Sequence, residues 1–400
     1  MIAFESIVSA HAVIAPYVLR TPLHESRSLS RLAGASVFLK CENLQKTGSF
    51  KARGALNRIL ALTPAEKRRG VVAASAGNHA QGVAYASGIA GVRATVVMPE
   101  TAAIAKVAAT HAYGAEIVLE GSDYASAFAH AELLAKRRRA VLVPAFDDPR
   151  IIAGQGTVGL EIVEDMPDAE VVVVPVGGGG LAAGIAVAVS ERPLVRVIGA
   201  QSRSVSTLAP SLRAHRRIFA APAPTIADGL ATSGIGVHPW AILRRRVRRA
   251  VTVGEAETAA ALLLLLERTK LVVEGAGAVG LAAVLGPLRR RIAGKKVVVV
   301  LSGGNIDVNL LDRILNLGLA EHGRVFCFST VITDRPGSLA ALAAAIGRVG
   351  ANIKHIQHER GRVGVGALET RVTVELETRG RDHVPEIISS LREAGYHVYC

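Results

Sequence analysis

Cysteine is nearly missing from this chain. Cys41, Cys327 and Cys400 are the only three in 400 residues, and none lies in a CxxC spacing. So sparse and odd a set excludes a disulfide framework and a structural zinc site, and it fits a reducing compartment. Aromatic residues are scarce too, at 4%, and none stands within the arginine runs at 136–139, 244–249 and 289–291 that concentrate the net charge of +14. A nucleic-acid groove needs aromatics or a recognition motif among its cations, so the scarcity argues against a nucleic-acid partner. Each run ends an alanine- or leucine-rich helix-like stretch, where solvated cations favour the helix C-terminus and give a modest attraction for anionic substrates. Long apolar runs are lacking as well. No stretch approaches the ~18 residues of a membrane span, and the N-terminus has no basic-then-apolar secretory pattern. The expectation is a cytoplasmic protein with neither a membrane nor a nucleic-acid partner.

Half of the residues are hydrophobic, ample for two or three domains with real cores. Between about residues 20 and 315, short β-branched runs alternate with alanine-rich helical stretches. Val71–Ala74, Ala94–Met98, Glu116–Leu119, 171–176, 195–199 and Lys296–Leu301 read as buried strands, with helices such as 80–90 and 180–190 between them. Apolar strands separated by helices predict an α/β fold with parallel sheets covered on both faces, here two sheets. From Val325 the pattern changes to strand 325–333, helix 338–349, strand 352–358, strand 370–377, helix 383–393 and strand 396–400. That is a βαββαβ, ferredoxin-like order with an antiparallel sheet covered on one face. Residues 316–323 read as the connection. The division expected is 1-318 for the first region, 319-324 for a linker and 325-400 for the last domain.

Four segments carry chemistry. Lys51 stands between Phe50 and Ala52, close to Gly48, a setting that strips solvation from the amine and lowers its pKa. Such an amine attacks carbonyls and can form a Schiff base with pyridoxal phosphate. Ser75-Ala76-Gly77-Asn78-His79 ends a strand and opens a helix, presenting free N–H groups to a carboxylate; taken alone it reads equally as an N-cap. Gly177, Gly178, Gly179 and Gly180 follow a buried strand and let the main chain wrap a phosphate ahead of the next helix. Ser302, at the C-terminal end of a parallel strand, points into the crevice where such sheets bind ligands. Gly275, Gly277 and Gly280 spell GxGxxG, but no Asp or Glu occurs from Leu281 to Asn305 to hold a ribose. Close helix packing explains them better than a dinucleotide.

Taken in order, KTGSFKARGA around Lys51, SAGNHAQG, VGGGGLAAG, VEGAGAVG and LSGGN resemble the pyridoxal-phosphate-dependent serine/threonine dehydratases, over about residues 5–320. The resemblance implies the two-domain fold type II shared with tryptophan synthase β, with a smaller subdomain at about 46-149 inserted in the larger. The C-terminal part is similar to an ACT regulatory domain, in Asp334-Arg335-Pro336-Gly337-Ser338-Leu339 and Gly350-Ala351-Asn352-Ile353. Lys51 is then the Schiff-base lysine and Phe50 packs on the cofactor, pyridoxal 5'-phosphate. Asn78 bonds the ring hydroxyl, while Gly177 to Gly180 and Leu181 hold the phosphate. Ser302 faces the pyridine nitrogen, and a neutral partner there suits expulsion of a β-substituent over transamination. Ser75, Ala76, Gly77, Asn78 and His79 receive the substrate carboxylate. The implied activity is β-elimination of threonine to 2-oxobutanoate and ammonia, with serine giving pyruvate. The alternative is a related enzyme acting mainly on serine or hydroxyaspartate. A sensor with a vestigial catalytic half is opposed by intact Lys51, Asn78 and Ser302.

Two departures matter. Ala76 stands where related serine racemases carry a second serine, so poor racemisation is implied. The stretch 201–206, where some relatives bind a divalent cation, has no carboxylate, so no metal is expected there. A homo-oligomer, dimer or tetramer, is expected. An amino-acid effector would sit between two ACT domains, near Asp334, Gly337 and Asn352.

Overall fold

The structure, a computed structural model, describes residues 2–221, 223–360 and 365–400. It divides into two compact units, at Asp307 and Val308.

Runs of β-branched residues form the centre of the first unit. Its larger sheet has the strand order Leu23–Glu25, Ser36–Cys41, Lys296–Leu301, Val171–Pro175, Arg196–Ser202, Arg249–Val253, all parallel except the antiparallel edge strand Leu23–Glu25. Its smaller sheet is parallel, in the order Glu116–Leu119, Ala94–Met98, Val71–Ala74, Val141–Leu142. Val172 to Val174 and Val297 to Val300 are wholly buried, as expected of strands covered on both faces. The two parallel sheets expected from the alternation are present.

Ser36–Cys41 and Arg249–Val253 escaped the strand pattern, as did the short Leu23–Glu25 and Val141–Leu142. The first contains Lys40, a charge that reads as solvated, yet its side chain is fully buried. Its ammonium pairs with Glu161 at 2.6 Å and donates to the Thr21 carbonyl at 2.7 Å. The same carboxylate meets Arg53, whose guanidinium also grips Glu42 through Nε and Nη2, each at 2.8 Å. Thr157 and Thr21 hydroxyls complete the cluster. Two cations against two carboxylates leave no uncompensated charge, the condition under which buried ions are tolerated.

This cluster clamps the helix Lys51–Leu60 to the helix Pro149–Asp165 and to the strand Ser36–Cys41. Glycines allow the helices to meet backbone to backbone. A Cβ on Gly154 would stand 2.6 Å from the Arg53 carbonyl, and one on Gly184 2.5 Å from Ile152 O. The helix that begins at Lys51 therefore sits on a rigid bed.

The second unit contains an antiparallel sheet ordered Val325–Thr333, Glu369–Glu377, Asn352–Glu359. The helices Ser338–Arg348 and His383–Glu393 cover one face, burying Leu342, Ile346, Ile387 and Leu391 against Phe328, Val372, Val374 and Leu376. Two expectations need correction. Residues 396–400 form no strand; they make a single bridge, with Ser329 and Tyr399 exchanging bonds of 2.8 and 2.9 Å. The supposed connection at 316–323 is mostly helical, because Val308–Glu321 forms a helix that belongs to the second unit. Only the turn before Val325 remains of the 319-324 linker.

No helix among the described residues is long and apolar enough to cross a membrane. Arg53→Leu is expected to cost about 3–5 kcal/mol in chemical denaturation, because Glu42 and Glu161 would keep only Lys40 between them. A loss below about 1 kcal/mol, the scale of an exposed ion pair, would contradict this account.

Candidate active site

Lys51 opens its helix directly after an extended stretch that is stitched to another motif. Ser49 bridges Gly303, Phe50 N donates to Ser302 O at 3.1 Å, and Gly304 N donates to Gly48 O at 2.9 Å. A Cβ on Gly48 would lie 2.4 Å from Asn305 Oδ1, and its φ of +69° also favours glycine. Two motifs some 250 positions apart in the chain thus become neighbours. The Lys51 ammonium lies 5.3 Å from the Phe50 ring centroid and donates to Ala145 O at 3.0 Å. A neutral carbonyl satisfies it without a counter-charge. Burial pulls its pKa down to about 8, and the more distant charge of Glu274 opposes the shift only in part.

Two loops offer unpaired donors. Among the described residues, the backbone amides of Gly177, Gly178, Gly179 and Gly180 reach no protein acceptor. These residues precede or open the helix Gly180–Ala188, so its dipole adds to the attraction for an anion. Gly178 could be nothing else, since a Cβ there would stand 2.4 Å from the Phe146 ring. Leu181 is buried behind the loop. The second loop lies at the start of the helix Asn78–Ala90, where the amides of Ala76, Asn78 and His79 likewise reach no protein acceptor. The Ser75 hydroxyl accepts from Gly77 N at 3.2 Å, and a Cβ on Gly77 would meet nothing within 4 Å, so the space above that turn is open.

Each expected residue has a definite place. Ser302 is buried beside Phe50, whose amide bonds its carbonyl. Ala76 packs its methyl partly against the small-sheet core. His79 belongs to the open loop by sequence, but its ring turns inward and Nε2 donates to Val143 O at 2.9 Å. Burial, reinforced by the Lys51 charge, holds its pKa down at about 3, so it is a neutral brace behind the loop. The GxGxxG glycines do serve close packing, as expected: a Cβ on Gly275 would fall 2.0 Å from Ile226 O, and one on Gly277 2.9 Å from Gly303 O.

Sequence reasoning missed two participants, Asn305 and Glu274, and a carboxylate elsewhere in the first unit, Glu255. Asn305 donates to Asn78 Oδ1 at 2.8 Å and to Thr47 O at 2.6 Å. Glu274, immediately before the GxGxxG glycines, accepts from Asn78 Nδ2 with both oxygens at 2.9 Å. The carboxylate absent from 201–206 is brought there by Glu255, which accepts from Ser202, Thr225 and the Ile226 amide. An acid within a quoted motif was the available signal for Glu274. Nothing local pointed to Glu255.

In the second unit Asp334 is held by Arg360 through Nε at 2.8 Å and Nη2 at 3.0 Å. Gly337, with φ +89°, opens the helix Ser338–Arg348. The side-chain amide of Asn352, expected near the effector, donates to Glu377 of its own sheet at 3.0 Å.

A half-buried amine of lowered pKa, with one free-amide loop suited to phosphate and another suited to carboxylate, defines a protein that holds an anionic carbonyl cofactor. The chain belongs to the pyridoxal-phosphate dependent enzymes, whose family model matches residues 14–303, and it is accordingly pyridoxal-phosphate dependent. It is 48% identical to an L-threonine ammonia-lyase of Thermotoga maritima, over 100% of this chain and 99% of that protein. An L-threonine ammonia-lyase of Geobacter sulfurreducens is 44% identical over the same shares. Among solved structures, a threonine deaminase of T.th. is 44% identical with a TM-score of 0.73, covering 76% of this chain and 99% of its own. That likeness fits the fold type II architecture of the first unit.

Gly178→Ala is expected to displace the Phe146 ring at a cost of about 1–3 kcal/mol and to weaken pyridoxal phosphate binding by about tenfold or more, the scale of one lost hydrogen bond. Denaturation and spectrophotometric titration measure the two effects. Unchanged affinity in a folded variant would remove the loop from the binding site.

Proposed function

We propose that this protein is a threonine ammonia-lyase, converting L-threonine to 2-oxobutanoate and ammonia and L-serine to pyruvate and ammonia. The observation that carries this reading is the Lys51 amine, half-buried and without a counter-charge beside two loops of unpaired amides. Full-length relatives of that name support the choice of substrate.

Bound pyridoxal phosphate supplies an aldehyde for the substrate nitrogen and a ring that takes up charge from Cα. The chain's own residues do the rest. The amides of Gly177 to Gly180 and Leu181 would hold the phosphate, Phe50 would pack against the ring and Asn78 would bond its hydroxyl. Ser302 would face the ring nitrogen as a neutral partner. Ser75, Ala76, Gly77 and the amides of Asn78 and His79 would bind the substrate carboxylate, orienting Cα toward Lys51. With a pKa of about 8, the Lys51 Nζ is neutral in a useful fraction of molecules near pH 7.5, so it takes the Cα proton as general base. The β-hydroxyl then departs as water, and an equal amount of water is taken up when nitrogen leaves as ammonia.

Lys51→Ala should abolish keto-acid formation from threonine and the absorbance near about 410–420 nm that a protonated pyridoxal Schiff base shows, while the fold persists. Retention of more than about a hundredth of the activity would refute the assignment. Comparing threonine with serine and hydroxyaspartate in the same assay separates the alternative substrates.

The second unit supports a further reading, an ACT domain that binds an amino acid between two copies in a homo-oligomer and so controls the catalytic unit. The helix start at Gly337 offers free N–H groups to a carboxylate. Isoleucine is the leading effector and valine the second. An effector must bind two activity states differently to shift them, so affinity alone is insufficient. Calorimetry and kinetics on the wild type, Asn352→Ala and a chain ending at Gly323 should show a response confined to the proteins that retain the domain. No branched-chain amino acid binding, or a response that survives truncation, would overturn it.

A further inference from the structure

The carboxyl group of Glu274 lies buried directly before the helix Gly275–Leu285, and none of the roles above uses it. Its position suits capping, yet its side chain makes no cap bond and turns instead to Asn78. Both oxygens stand 2.9 Å from Asn78 Nδ2. The opposite end of that amide is fixed by Asn305, which is itself anchored on Thr47 O. Asn78 therefore has one orientation, oxygen to Asn305 and nitrogen to Glu274, because a flipped amide would set donor against donor and acceptor against acceptor. The pair is packed tightly against backbone: a Cβ on Gly303 would lie 2.6 Å from Glu274 Oε1 and 3.1 Å from Asn78 Nδ2.

Among the described residues, no lysine or arginine reaches salt-bridge distance of this carboxyl group. The charged groups that face it are Asp228 on the turn Asp228–Leu230, Lys106 on the helix Ile104–Ala112 and Lys51. Lys106 is occupied with Asp228 at 2.7 Å, and Lys51 with Ala145 O. Burial raises the Glu274 pKa to about 7; the Asn78 hydrogen bond opposes the rise, Asp228 adds to it, and Lys106 and Lys51 oppose it.

We propose that Glu274 is a positioning residue which, through Asn78, sets the hydrogen bond offered to the ring hydroxyl of the cofactor and changes it with its own protonation. The two oxygens of one carboxylate lie too close together for the two Asn78 N–H groups, which diverge by about 120°, so one N–H is shared between them and the other is left for the ring hydroxyl. While Glu274 is ionised, its charge feeds electron density into the amide and makes that second N–H a weaker donor; once Glu274 is protonated, the same N–H donates more strongly. The inference rests on the assignment of Asn78 to the cofactor made above.

Glu274→Gln keeps the size and removes the titration, whereas Glu274→Ala removes the acceptor as well. In the full chain loaded with pyridoxal phosphate, the wild-type cofactor spectrum should titrate with an apparent pKa near about 7. Cofactor affinity should differ about tenfold between pH 6 and pH 8, the scale of one hydrogen bond. Both responses should vanish in either variant. At pH 6, where Glu274 is protonated, affinity in the Gln variant should stay within about threefold of wild type, with the Ala variant about tenfold weaker.

Thermal unfolding of the full chain supplies a readout that needs no spectrum. A carboxyl group raised from 4.5 to about 7 in the folded state makes the fold lose stability as pH climbs through that window, because ionisation costs more folded than unfolded. The wild type should therefore fall behind Glu274→Gln between pH 5 and pH 7.5. Parallel stability profiles, or cofactor binding with the same pH response in all three proteins, would overturn this inference alone. A wild type that binds no pyridoxal phosphate would overturn the proposed function and this inference with it.

Discussion

One short segment, residues 143–148, ties the two sheets of the first unit to the lysine between them. Val143 N bonds Val72 O of the small sheet, and Val143 O accepts from His79 behind the open loop. Ala145 O takes the Lys51 ammonium. Phe146 lies where side chains on Gly178 and Gly180 would be, and so shapes the glycine loop. Asp147 accepts from the amides of Val237 and His238, and Asp148 caps the helix Pro149–Asp165 while bonding Arg58. The acceptors named along this stretch serve the helices Lys51–Leu60, Asn78–Ala90, Pro149–Asp165 and Val237–Arg246. Buried polar groups must be paired, so displacing the segment would orphan partners on both sides at once.

The same region shows two opposite treatments of buried charge, two residues apart. Arg53 is surrounded by Glu42 and Glu161, whereas Lys51 receives a carbonyl and an aromatic face. Successive α-helical residues turn by about 100°, so positions 51 and 53 look to nearly opposite sides of one helix. One side is clamped by a balanced ion cluster that holds the helix against its neighbours. The other presents an amine whose pKa stays low because nothing neutralises it. Rigidity and reactivity are thereby assigned to separate faces. Glu274 extends the contrast as a carboxylic acid buried with an amide for a partner, which leaves its proton close to exchange at neutral pH.

Much of this was legible in the chain. Valine-rich runs separated by alanine-rich stretches identify strands and helices because both the β-branched preference and the helical period are carried by adjacent residues. The central strands were read from that pattern, as were the glycine loop and the turn before Asn78. The strand with Lys40 inside it was not, because a charge within a short apolar run signals solvent unless its partner is known, and the strand that opens with Arg249 begins inside an arginine run. His79 was assigned to the open loop for a similar reason. Its sequence neighbours face the cleft, but a ring nitrogen bonds whichever acceptor the fold brings near, here the carbonyl of Val143.

The sequence by itself determined most of the central strands and helices, which turns are rich in glycine, and that Lys51 is no ordinary surface charge. Those properties depend on a few consecutive residues. The tertiary structure alone decided that Lys40 and Arg53 are buried, that the Lys51 motif is stitched to Ser302 and Gly303, and that Glu274 grips Asn78. It also decided that residues 396–400 make one bridge and no strand, and that a helix runs through the expected connection. Arg53 and Glu161 stand 108 positions apart, and Asn78 and Glu274 stand 196 apart. The fate of a charge or an amide is set by the solvation and partners that remain after folding, and separations of that size leave no trace in local pattern.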